Sequence, residues 1–258
     1  MRIDVHSHIP GFDLAPGCTT ADLIDGMDRL EIDWSWVSLP RMEVSPTPDQ
    51  VREANDQVLQ ALESYPTRLK GYCYVNPGYG REALIEMERC FRDEKVIGIK
   101  LYYQYRANDP AVYPIIEQAT AWGVPMLWHA GNMPELTRTL DPERDHATSD
   151  AGHIAELARR YPEAMLIEGH LGGGGDWEWA IKTLRDVPNV WADTSGSVID
   201  DGLVDMAKRE LGVSRLLFAT DLTMEAGVGK ILAADLTQEE REQVWWRNAQ
   251  AILEVRRK

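Results

Sequence analysis

Six histidines occur in the chain, and two of them stand two residues apart in DVHSHI (4–9). Residues two apart on a strand project to one side, so His6, His8 and Asp4 are expected on one face and Ile3, Val5 and Ile9 on the other. Imidazole is the commonest metal ligand among side chains, although a lone His-x-His pair also arises by chance. Other chemistry-bearing residues are spread along the chain: Lys100 in GIKLYY, His129 in LWHAG, His170 in EGHLGG and Asp221 in FATDL. Imidazole nitrogens joined by a carboxylate suit zinc or a similar divalent ion with one position left for water. Water at such a site has its pKa lowered to about 7, and Asp221 beside it would accept the proton.

Such residues do chemistry together only if the fold gathers them. Short apolar runs alternate with longer amphipathic ones, and eight runs read as strands: 2–9, 33–40, 69–76, 96–103, 124–131, 164–172, 189–196 and 215–222. Between them lie helical patterns. In DQVREANDQVLQALESYP, Val51, Ala54, Val58, Ala61 and Leu62 form one stripe. Ser149 or Asp150 is a candidate N-cap for the helix that stops at Pro162, and Thr237 with Glu240 is a capping-box pattern opening a last helix over roughly 237–255. Eight strands alternating with helices predict an α/β fold, a (β/α)8 TIM barrel, as a single domain over residues 1–258. An open doubly wound sheet uses the same alternation, but no G-x-G-x-x-G follows the first strand. In a barrel, catalytic groups sit at the carboxyl ends of the strands. His6, His8, His129, His170, Lys100 and Asp221 all fall there, whereas His146 lies in a loop and His153 in a helix.

The ordered pieces DVHSHI, GIKLYY, LWHAG, EGHLGG, FATDL and the terminal RNAQAIL resemble the amidohydrolase superfamily. The resemblance spans nearly the whole chain. It is strongest to the branch of small barrel hydrolases around aminocarboxymuconate semialdehyde decarboxylase. It implies that His6, His8, His129 and Asp221 ligate one metal, with His170 orienting water or substrate. In two-metal relatives the residue matching His170 is also a ligand, and a carboxylated lysine, here Lys100, bridges the ions. The chain departs from many relatives in following Asp221 with LTMEAG rather than an aromatic and a proline.

Alternation offers Lys100 another fate. Glu168, two residues before His170, is expected to point inward and pair with Lys100, which keeps the amine protonated and favours one ion over two. The HLGGGG run (170–175) is either a backbone approach to a ligand or a plain turn. Arg106 and Tyr103 beyond strand 4, and Arg41 with Glu43 after strand 2, are candidates to clamp a substrate carboxylate, or else ordinary loop residues. The long loop GNMPELTRTLDPERDHATSD, with His146, is a candidate lid.

Composition narrows the partners. A formal charge of −15 argues against nucleic acid and anionic membranes. No apolar run reaches the roughly 20 residues that a membrane span needs. Cys18, Cys73 and Cys90 make no C-x-x-C pair, and a reducing cytoplasm is expected. No G-x-S-x-G elbow signals a serine hydrolase. The expectation is a metal-dependent hydrolase of a small carboxylic ester, lactone or amide, with metal-activated water as nucleophile and Asp221 as proton shuttle. A divalent metal, zinc first, is the expected cofactor and a small molecule the partner, with a homo-oligomer open. The alternatives are a non-oxidative decarboxylase on the same site, a metal-independent lactonase, or a barrel that binds without turnover.

Overall fold

A computed structural model describes residues 1–12, 14–43, 45–131, 148–171, 176–196, 198 and 200–255. His146, most of the expected lid and the four glycines of HLGGGG lie outside the described residues. The strands are β1 (Ile3–His8), β2 (Trp34–Ser38), β3 (Leu69–Tyr74), β4 (Val96–Leu101), β5 (Met126–His129), β6 (Leu166–Gly169), β7 (Val190–Asp193) and β8 (Leu216–Leu217). They form one parallel sheet in sequence order. Hydrogen bonds from Val5 N–H to Phe218 O (3.0 Å) and from Asp221 N–H to His6 O (2.7 Å) bring the last strand back to the first. The (β/α)8 barrel is therefore the observed fold.

Helices follow the strands on the outside: α1 (Thr20–Arg29), α2 (Pro48–Ser64), α3 (Arg81–Cys90), α4 (Tyr113–Ala121), α5 (Ala151–Arg160), α6 (Trp177–Leu184), α7 (Leu203–Leu211) and α8 (Met224–Ala233). The stripe read from the sequence of α2 is buried in full, and Thr47 caps that helix through a capping box with Gln50. Asp150, rather than Ser149, caps α5. The C-terminal run begins with the expected Thr237–Glu240 box as α9 (Gln238–Glu242), widens into a π turn over Gln243–Arg247 and ends as α10 (Asn248–Val255).

Two apolar clusters divide the core. The larger lies between sheet and helices, with Val37, Leu101, Trp128, Leu166 and Phe218 among its members. The smaller fills the barrel, with Val5, Trp36, Tyr72, Leu127, Ile167 and Leu217, joined by Ala249 and Ile252 of α10. β1 departs from simple alternation. Its register against β2 runs Asp4↔Ser35 and then Ser7↔Val37, one residue more on β1 than on β2, which is a bulge. Before the bulge Ile3 and Val5 face the interior; after it His6 and His8 do. The expected common face of Asp4 with the histidines is thus corrected: Asp4 turns to Thr220 Oγ1 (2.6 Å) and Ser35 Oγ (3.5 Å). Cys18, Cys73 and Cys90 are all free thiols. Among the described residues no helix is long and apolar enough to cross a membrane.

Candidate metal centre and active site

Each strand end delivers what the sequence placed there. His6 is buried, and its Nδ1 lies 2.7 Å from Asp193 Oδ2. Its Nε2 lies 2.7 Å from Lys100 Nζ and 3.8 Å from Asp221 Oδ1. His8 Nε2 is 2.9 Å from the same Asp221 oxygen. His170 Nδ1 is 2.9 Å from Ser195 Oγ and 3.6 Å from Asp221 Oδ2. His129 joins through His170, its Nδ1 lying 2.9 Å from His170 Nε2. One ligand atom each from His6, His170 and Asp221 fall within 4.8 Å of one another; His129 stands one hydrogen bond outside that trio.

The partners fix the proton on most of these rings. Ser195 donates its hydroxyl to Asp193 Oδ1 at 2.6 Å, so Ser195 Oγ must accept from His170 Nδ1–H. His170 Nε2 then carries a lone pair and accepts from His129 Nδ1–H. That leaves His129 Nε2 as a lone pair, and it is buried with no hydrogen-bond partner. By the same logic His6 donates Nδ1–H to Asp193 and turns an Nε2 lone pair toward Lys100 and Asp221. His8 Nδ1 accepts from the Ser38 hydroxyl (3.0 Å), which leaves Nε2–H to donate to Asp221 Oδ1 at 2.9 Å; moving the proton to Nδ1, where the Ser38 carbonyl at 3.2 Å accepts it, would turn Nε2 into a ligand. Imidazoles anchored through one nitrogen with the other presented to a carboxylate are the usual dress of a metal site. The donor set fits a divalent cation.

Electrostatics agree. Burial lowers the pKa of His6, His8 and His129, and takes His170 down to about 4, so the rings are neutral near pH 7 and available as ligands. Burial pulls Lys100 down to about 8, with Asp221 and Asp193 opposing, so the amine stays mostly protonated at neutrality. Burial would raise the Asp221 carboxyl, but His170, the His8 hydrogen bond and His6 outweigh it and hold it well below the usual carboxylate range. His170 and Asp221 have φ of 64° and 48°, left-handed values uncommon for side-chain-bearing residues and frequent at functional sites.

Asp193, at the end of β7, is the site residue that reading for histidines missed. It is fully buried and accepts four hydrogen bonds: His6 Nδ1–H, His170 N–H (3.0 Å), Ser195 N–H (2.9 Å) and Ser195 Oγ–H. Burial is outweighed by His6, His170 and Ser195, and the carboxyl is held far down. Its signal was in the sequence all the same: ADTSG puts an acid at a strand's carboxyl end.

The Lys100–Glu168 pair does not form. Alternation fails because β6 ends at Gly169 and His170 already has a left-handed backbone, so the two residues do not share a face. Ile167 lies in the inner cluster, and a Cβ on Gly169 would stand 3.0 Å from the His6 ring, so Glu168 between them faces the helices. There burial, Asp193, Asp176 and Asp150 raise its pKa to about 8 against Arg215, and Oε2 has no partner. Because the folded pKa lies above the unfolded value of about 4.5, its contribution to stability is intact below that value and is lost as pH rises through 8. Glu168→Gln is therefore expected to match the parent at pH 5 and to melt several degrees higher at pH 9. Equal melting temperatures at both pH values would refute this burial argument.

The candidate clamp residues divide. Tyr103 and Tyr102 wall the site, their rings 6.5 and 4.5 Å from the His129 ring, and Tyr103 donates its hydroxyl to Met42 O. Arg41 is held by Glu43, with its guanidinium 3.6 Å over the Phe12 ring. Arg106 is partly buried in the β4–α4 loop. His153 belongs to the α5 cap, 2.8 Å from Asp150.

Comparison with known proteins agrees with the residues. A gamma-resorcylate decarboxylase of Polaromonas sp. strain JS666 is 26% identical, over 81% of this chain and 77% of that protein. A dihydroxybenzoic acid decarboxylase of Polaromonas sp. JS666, solved with bound manganese and the inhibitor 2-nitroresorcinol, shares the fold at TM-score 0.76 and 19% identity over 100% of this chain and 98% of that one. The 5-carboxyvanillate decarboxylase of Sphingomonas paucimobilis superposes at TM-score 0.77 and 17% identity over 98% of each chain. A family model described as Amidohydrolase (Amidohydro_2) matches residues 3–255, and the chain belongs to that family as an enzyme of the amidohydrolase superfamily.

Proposed function

We propose that the protein is a metal-dependent, non-oxidative decarboxylase acting on a small hydroxylated aromatic or similarly unsaturated carboxylate. The observation that carries this reading is the similarity to a gamma-resorcylate decarboxylase along most of the chain. It moves the preference away from ester, lactone or amide hydrolysis, which uses the same side chains. Tyr102 and Tyr103 beside His129 support it, because a wall of aromatic rings suits a flat, unsaturated substrate.

His6, His8, His129 and Asp221 would hold the divalent ion. Bound there, it would supply positive charge that stabilises an anionic substrate and the charge developing on it. The chain's own residues do the rest. Asp221 Oδ1 is engaged by His8, so Oδ2 is the oxygen that moves a proton. It takes one from a substrate hydroxyl or water and passes it to the carbon bearing the carboxylate. Carbon dioxide then leaves, and the electron pair of the broken C–C bond restores the unsaturated system. Asp193 keeps the His6 lone pair facing the site, and the His170–His129 hydrogen bond occupies His129 Nδ1, which leaves the buried Nε2 as its unpartnered lone pair. We keep to one ion per chain, with Lys100 Nζ, 2.7 Å from His6 Nε2, acting as a hydrogen-bonding amine beside it rather than as a bridge between two. Arg41 is tied to Glu43 through Nε and Nη2, while its buried Nη1 has no hydrogen-bond partner and is the donor left for a substrate carboxylate.

Assay of carbon dioxide release from 2,6-dihydroxybenzoate and related acids, beside a lactone and ester panel, separates the chemistries. Chelation is expected to abolish release, and manganese to restore it better than zinc, with one ion per chain by elemental analysis. Turnover unchanged in metal-free protein, or turnover of lactones alone, would refute the proposal.

A further inference from the structure

Behind the site lies a cation that the reaction does not use directly. Lys230, on α8, is partly buried, and its ammonium donates to three consecutive carbonyls: Thr194 O (3.1 Å), Ser195 O (3.3 Å) and Gly196 O (2.7 Å). Three carbonyls converging on one point repel each other unless a positive donor sits among them. The turn they belong to is the cradle of His170. With its carbonyls gathered on Lys230, Ser195 points its N–H and hydroxyl at Asp193 and accepts His170 Nδ1–H on Oγ. Gly196, at φ 90°, comes so close that a Cβ there would lie 3.2 Å from His170 Cβ.

We propose that Lys230 is a positioning residue. By gathering the 194–196 carbonyls it sets the Ser195–His170–His129 hydrogen-bond chain, and so determines which nitrogen of His129 carries the lone pair. Its link to turnover rests on the proposed function, but its effect on His170 does not. It is distinct from Lys100, which touches His6.

The test is the 15N spectrum of histidine-labelled, metal-free protein, read beside kcat and KM of the metal-loaded enzyme on whichever substrate it turns over. Lys230→Met removes the charge and keeps the length; Lys230→Arg restores a donor cation. In Lys230→Met the His170 Nδ1 and Nε2 signals are expected to move while those of His153 stay. The kcat is expected to fall about 10- to 100-fold with KM changed less than threefold, as for other groups that orient a ligand through one hydrogen bond. Lys230→Arg is expected to recover most of both readouts. An unmoved His170 spectrum in a folded Lys230→Met protein would overturn the proposal, whatever reaction the enzyme catalyses. So would loss of the fold in both variants, which would make Lys230 a general stabiliser. If the parent releases no carbon dioxide from any acid tested, the proposed reaction fails while the His170 readout still decides the role of Lys230.

Discussion

Asp221→Asn is expected to lower kcat by at least about 10³-fold while leaving the protein folded. The size follows from the place of the side chain. Asp221 Oδ1 meets both His8 Nε2 and His6 Nε2, and its other oxygen faces His170. The carboxyl is held well below the usual carboxylate range, so it stands ionised and releases readily any proton it accepts. An amide keeps the shape and one acceptor but cannot carry that proton. The fold should survive because asparagine tolerates a left-handed backbone as readily as aspartate does. Circular dichroism and melting check the fold, and steady-state kinetics check the loss. A variant with near-parental kcat would remove the proton-shuttle role for decarboxylation and hydrolysis alike.

The second large effect is expected from a residue that touches neither ion nor substrate. Asp193 receives four donors on two oxygens, and Asp193→Asn replaces one oxygen with an NH2 group that is itself a donor. Either the amide faces His6, driving the ring to the other tautomer with a proton on Nε2, or it faces Ser195 and the His170 N–H. In the first case His6 loses its lone pair toward the site; in the second the His170 cradle opens. Metal affinity is expected to drop about 10- to 100-fold. At saturating metal, kcat is expected to fall by about 10³ to 10⁴, as when a catalytic imidazole is held in the wrong tautomer. Metal titration and kinetics measure the two separately. Values within threefold of the parent for both would mean that Asp193 is only a buried structural acid.

Much of this was legible in the chain, and for a definable reason. The alternation of apolar runs forces a parallel sheet, and a barrel sends every strand end to one mouth. Four histidines, a lysine and an aspartate at such ends were therefore enough to name the candidate site whose members the barrel brings together. What could not be read were departures from ideal strands. The β1 bulge reverses the faces of Asp4 and Val5 within a segment that looks regular as letters. The left-handed turn at His170 breaks the parity that seemed to pair Glu168 with Lys100. Asp193 escaped notice because a single carboxylate at a strand end carries no spacing pattern. Lys230 escaped because its partners are backbone carbonyls, which no side-chain motif announces.

The positive φ values at His170 and Asp221 bear on how this enzyme tolerates engineering. A side chain in that conformation costs on the order of 1 kcal/mol that glycine would not incur. Selection for heat resistance alone would thus drift toward emptying the reactive mouth, yielding sturdier barrels that do nothing. Libraries built to harden this scaffold should hold positions 170 and 221 fixed and seek their gains on the outer helices.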